Sequence, residues 1–75
     1  MTQYGVVLFY TTSSVMRAEK LLKTEGHSIK LIPTPRQFSS DCGIALRFDW
    51  NYCEEIKLML DEAKVEYANM HSLDT

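Results

Sequence analysis

The sequence predicts an α+β fold, a four-stranded antiparallel sheet with two helices packed on one of its faces. Three observations predict it. Apolar residues alternate between two periods along the chain, about two in four short runs and about 3.6 in two longer ones. The runs follow one another as β-α-β-β-α-β with short connections. Seventy-five residues leave room for one domain with one core, assigned here to residues 1–75.

The first strand is expected over Tyr4 to Tyr10, where β-branched and aromatic residues fill both alternating sets, as a strand covered on both faces requires. Thr11, Thr12, Ser13 and Ser14 follow; a hydroxyl here can cap a helix, and Thr12 or Ser13 is the expected cap. The helix runs to about Glu25, with Val15, Ala18, Leu21 and Leu22 on one face and Glu19 four residues before Lys23 on another. Gly26 is its natural stop, because glycine takes a left-handed backbone at little cost.

Ser28 to Ile32 alternates, Ile29 and Leu31 against Lys30 and Ile32, as a half-exposed edge strand ending at Pro33. Ile44, Leu46 and Phe48 alternate with Ala45 and Arg47 as a third strand. Asp49 to Ala63 reads as the second helix, capped by Asp49 or Asn51, with Cys53, Ile56, Met59, Leu60 and Ala63 as its apolar stripe. A last strand is expected over Val65 to Met70. This order is the ferredoxin-like, split β-α-β arrangement, a two-layer sandwich.

The composition narrows the function classes. Hydrophobic residues make up 45% and charged residues 24%, the balance of a globular chain. The net charge of −2 comes from dispersed residues, with no run of basic side chains to displace counterions from a nucleic acid, so no nucleic-acid partner is expected. The longest wholly apolar run, Val6 to Phe9, is too short for a membrane span, and the N-terminus has no leader pattern; a cytoplasmic protein with no membrane partner is expected. Its two cysteines are then thiols. If Gly43 to Phe48 is a strand, Cys42 and Cys53 stand about 20 Å apart, beyond the ~7 Å of a disulfide.

The interval from Pro33 to Gly43 has neither period and holds both prolines, Arg36, Ser39, Ser40, Asp41 and Cys42. The expected topology brings this loop to the end of the sheet where the first helix starts. A thiol there has a helix N-terminus and the Arg36 cation to favour its thiolate. Cys42 is therefore the candidate nucleophile, Arg36 its anion stabiliser, and Thr12, Ser13, Ser39, Ser40 and Gly43 candidate binding positions. The competing reading makes Cys42 a small buried hydrophobe, pairs Arg36 with Asp41, and gives the serines to local turns. Cys53 reads as core. His27 and His71 form no metal-ligand spacing, so neither metal nor cofactor is expected. No general base is evident beside the thiol, so an independent enzyme ranks below a carrier.

Pro35-Arg36 followed by Ser39-Ser40-Asp41-Cys42-Gly43-Ile44-Ala45-Leu46-Arg47 resembles the putative selenium/sulfur carrier protein-like family. Leu8-Phe9, Ala18 with Leu21-Leu22, and Lys30-Leu31-Ile32-Pro33 are similar too, so the resemblance runs from about Tyr4 to Phe48. It implies that Cys42 carries sulfur or selenium as a persulfide or selenosulfide, with protein thiols as donor and acceptor. The alternative is a non-catalytic ferredoxin-like binding or dimerisation module in which Cys42 is structural. The first strand is apolar on both faces, Val6, Leu8 and Tyr10 on one and Val7 and Phe9 on the other; whichever the helices leave uncovered is an apolar sheet face for a homodimer or partner to cover.

Overall fold

The computed structural model describes residues 3–38 and 43–73. Its elements are β1 (Tyr4–Leu8), α1 (Thr12–Thr24), β2 (Ile29–Pro33), β3 (Ile44–Asp49), a 3-10 turn (Trp50–Tyr52), α2 (Cys53–Glu62) and β4 (Asn69–Ser72). The strands form one antiparallel sheet in the order β2-β3-β1-β4, the ferredoxin-like arrangement. Each half is a strand, a helix and a second strand parallel to the first, with a strand of the other half inserted between them.

One consequence of this order is a division into two ends. β1 leaves the sheet at the end where α1 starts, where β2 hands over to β3, and where the segment after α2 enters β4. The α1–β2 turn, the β3–α2 connection and the outer ends of β1 and β4 gather at the opposite end.

The helices cover one face. Val15, Ala18 and Leu22 of α1 and Ile56 and Leu60 of α2 are buried against Val7, Leu46 and Phe48 of the sheet, and Phe9, just beyond β1, and Val65 complete this core. Glu19 and Lys23 pair at 3.2 Å on the outer side of α1. Gly5 lies where the Trp50 and Phe48 rings close over β1, with no room for a Cβ.

The second face is covered by the chain itself. Val6, Leu8 and Ala45 are 0%, 2% and 0% exposed, beneath Ile32, Phe38, Ala68 and Leu73. Phe38, from the connection between β2 and β3, stacks on His71 of β4 with ring centroids 4.3 Å apart and planes 7° from parallel. Val6, Leu8 and Ala45 of this face are thus buried within one molecule. All of Val6 to Phe9 is buried, as a strand covered on both sides demands, although β1 stops at Leu8 and Tyr10 is exposed.

Several boundaries differ from expectation. Thr11, not Thr12 or Ser13, caps α1: its Oγ1 accepts from the Ser14 N–H at 3.2 Å. Asp49 caps the 3-10 turn rather than α2, accepting from the Asn51 N–H at 3.0 Å, so α2 starts four residues later than expected. The last strand begins at Asn69 rather than Val65, because Val65 belongs to the helix stop. Its N–H donates to the Leu60 carbonyl at 2.9 Å and that of Lys64 to Asp61 at 3.1 Å, with Lys64 left-handed at φ 56. This is the same double bond pattern that ends α1, where His27 donates to Leu22 and Gly26 to Lys23, with Gly26 at φ 83.

Candidate functional site

The connection between β2 and β3 is built from its neck outward. Pro33 closes the last pair of the β2–β3 ladder against Ile44, and the Thr34 N–H donates to the Gly43 carbonyl at 3.0 Å, holding the two ends of the loop together. Pro35 then starts a tight turn in which the Phe38 N–H returns to the Pro35 carbonyl at 3.0 Å. Arg36 and Gln37 are exposed at the turn, and Phe38 is carried over the sheet face opposite the helices.

Thr12 and Ser13 lie in the first turn of α1, exposed, at the same end of the sheet as the loop but in the helical layer. The described part of the loop leans the other way, towards Val6, Leu8 and His71. Cys42, Ser39, Ser40 and Asp41 lie outside the described residues, so of the predicted site the structure positions Arg36, Thr12, Ser13 and Gly43 only. Gly43 is exposed, its φ is not left-handed, and a Cβ built on it meets nothing within 4 Å among the described residues. Among the described residues, neither backbone nor packing requires glycine there.

Cys53 is half-buried at the first turn of α2 and packs against the helix-side core. Burial pushes its thiol pKa up, the Glu54 charge adds to this, and Lys57 opposes it. A helix N-terminus ordinarily favours thiolate; here burial prevails, and Cys53 packs with the helix-side core as the sequence led one to expect.

At the far end of the sheet a cleft of about 540 Å³ is lined by Gly26, His27, Asp49, Tyr52, Glu55 and Met59, among others. His27, 11% exposed, makes a 3.1 Å contact from Nε2 to Glu55 Oε2 and meets the Tyr52 ring edge-on at 5.4 Å between centroids. These contacts tie the α1–β2 turn to α2. They lie a sheet length from the described part of the β2–β3 connection, so the two are separate features. The sequence shows only a histidine after a helix-ending glycine; its partners come from an element nearly thirty positions on.

The fold and loop together define the class, a small α+β ferredoxin-like domain with a cysteine-bearing connection between β2 and β3. Residues 4–72 match the family model described as "Putative Se/S carrier protein-like", and the chain belongs to that family. The match extends the expected resemblance through α2 and β4. Comparison with curated proteins and with solved structures returns no match. Among the described residues no helix is long and apolar enough to cross a membrane, and no group of three His, Cys, Asp or Glu side chains could hold a metal ion.

Proposed function

We propose that the protein carries sulfur or selenium on Cys42, taking it from a persulfide or selenosulfide on one protein thiol and giving it to the thiol of another. The observation that carries this reading is membership of the family over residues 4–72, which includes the Cys42-Gly43 pair. In the sulfur form, the Cys42 thiolate attacks the terminal sulfur of a donor persulfide. One S–S bond forms at Cys42, the donor's S–S bond breaks, and the donor leaves as its thiolate with no net oxidation. A partner thiolate then attacks the same terminal sulfur and Cys42 departs as thiolate. A selenosulfide would exchange in the same way.

Arg36, exposed in the same loop, is the cation that would favour the Cys42 thiolate, with Thr12, Ser13, Ser39 and Ser40 as supporting polar groups. Gly43, where an added Cβ would meet nothing among the described residues, would keep the approach open. The reducing cytoplasm, where free thiols persist, is the compartment that suits this exchange.

The test is intact mass after incubation with a low-molecular-weight persulfide. The expected gain is one sulfur atom, lost on Cys42→Ala and retained on Cys53→Ala, with slower uptake near neutral pH in Arg36→Ala. No gain at Cys42, or a gain confined to Cys53, would replace the carrier with the binding-module reading.

A further inference from the structure

Dispersed in sequence, Lys30 and Arg47 are brought opposite one another by the strand register. Lys30 of β2 pairs with Arg47 of β3, which pairs in turn with Val6 of β1. Both side chains therefore rise from the sheet face opposite the helices. Directly opposed like charges are unfavourable in an antiparallel pair, yet neither residue makes an ion pair with any described carboxylate. Asp49, the acidic residue on the same face, spends its Oδ1 on the Asn51 N–H.

The Arg47 guanidinium is fixed in place. It lies over the Tyr4 ring, its central carbon 4.3 Å from the ring centroid, an arrangement that orients the planar fork. Beside it is a hollow of about 220 Å³ lined by Tyr4, Ser28, Ile29, Lys30 and Arg47. That volume is below the usual range for a whole small-molecule ligand and suits one polar group. The residues that line it carry a planar fork, a point charge and a hydroxyl. A carboxylate would be satisfied by the arginine alone, whereas two uncompensated cations match a doubly charged tetrahedral group.

We propose that the hollow between Tyr4, Ser28, Lys30 and Arg47 binds the phosphate group of a small phosphomonoester or of free phosphate. Arg47 supplies a bidentate pair of N–H donors, Lys30 a third donor, and the Ser28 hydroxyl a fourth. The bound dianion also removes the repulsion between Lys30 and Arg47. This site involves no thiol, so it stands apart from the chemistry proposed for Cys42.

The test is a titration of the full chain, labelled with nitrogen-15, with inorganic phosphate and separately with adenylate, at constant ionic strength maintained with chloride. The pH is kept slightly alkaline, where the phosphate group is doubly charged. Saturable shifts centred on Tyr4, Ser28, Lys30 and Arg47 are expected, weakened about tenfold in Lys30→Gln, the loss of one charge-assisted hydrogen bond. That variant should be at least as stable as the parent without ligand, since it relieves a like-charge pair. Equal binding of both probes identifies the phosphate group alone as the ligand; tighter adenylate binding adds the organic portion to it. The proposal is overturned by shifts that chloride reproduces, by a Lys30→Gln variant that binds unchanged or is less stable, or by saturation with polyglutamate where phosphate has no effect.

Discussion

Replacing Phe38 by alanine isolates the contribution of the loop to the fold. Phe38 is half-buried on Val6, Leu8 and Ala45 and stacked on His71. A phenylalanine side chain offers roughly 200 Å², so its buried half is about 100 Å², or about 2.5 kcal/mol at ~25 cal/mol per Å². Loss of the stack adds up to about 1 kcal/mol, while residual burial in the unfolded chain reduces the sum. A net loss of about 2–3 kcal/mol is expected, within the ~4–11 kcal/mol that stabilises a domain of this length. In urea, with a slope of ~1 kcal/mol/M, the midpoint should fall by about 2–3 M. The same change uncovers Val6, Leu8 and Ala45, so sedimentation should show a parent with no tendency to associate through this face and a variant that self-associates. Amide exchange should quicken at Phe38, whose N–H closes the turn onto Pro35. An unchanged midpoint together with unchanged sedimentation would refute the claim that the loop serves as the cover of the second face.

Lys64→Gly should raise the unfolding free energy by about 0.5–1 kcal/mol in denaturant, because Lys64 occupies the left-handed stop of α2 at φ 56, a conformation costly to a residue with a Cβ; a lower midpoint would count against it. Gly5→Ala should cost at least about 1–3 kcal/mol by the same measurement, since its Cβ collides with the Trp50 and Phe48 rings. Gly43→Ala meets no such obstacle among the described residues and should hold or gain up to about 1 kcal/mol, while slowing sulfur uptake at Cys42; a destabilised variant would place Gly43 among packing residues instead. Burial raises the Cys53 pKa in the folded chain. Its contribution to stability is therefore complete below the unfolded thiol pKa and lost as pH rises through the raised folded value, with Tyr67, raised by burial and by Asp61, adding to the decline at higher pH. Cys53→Ser should flatten the first part of that alkaline loss, and alkylation of folded Cys53 at the rate of a free thiol would contradict the shift.

The order of elements was legible because each periodic run carries its own boundary chemistry. Gly26 marks one helix stop openly, whereas the second is made by Lys64, a residue with no preference for that role, and the last strand was accordingly expected too early. Phe38 shows the limit from another side. Between prolines and serines it reads as a lone aromatic in a polar loop, and only the return of that loop across Val6 and Leu8 gives it neighbours. The pairing of Lys30 with Arg47 was encoded in alternation, but it emerges only once the register is fixed. For the candidate site, Cys42, Arg36 and Gly43 stood out by residue type and by family resemblance, while the arrangement of a loop without period depends on contacts that no local pattern specifies.

The ends of β1 and β4 lie side by side. Gln3 donates from its side-chain amide to the Ser72 hydroxyl at 3.1 Å, and the Leu73 N–H meets the Tyr4 carbonyl at 2.8 Å. Residues 3 and 73 could therefore be joined by a short linker and the chain reopened elsewhere, giving a circular permutant with the same sheet. Opening it between Arg36 and Phe38 would cut the Pro33–Gly43 connection while leaving every strand pair intact. A tether at the original ends would hold the domain to a surface or a neighbouring module by the end of the sheet opposite that connection, about one strand length, ~16 Å, away. The neck of that connection, where Thr34 meets Gly43, would then face away from the tether.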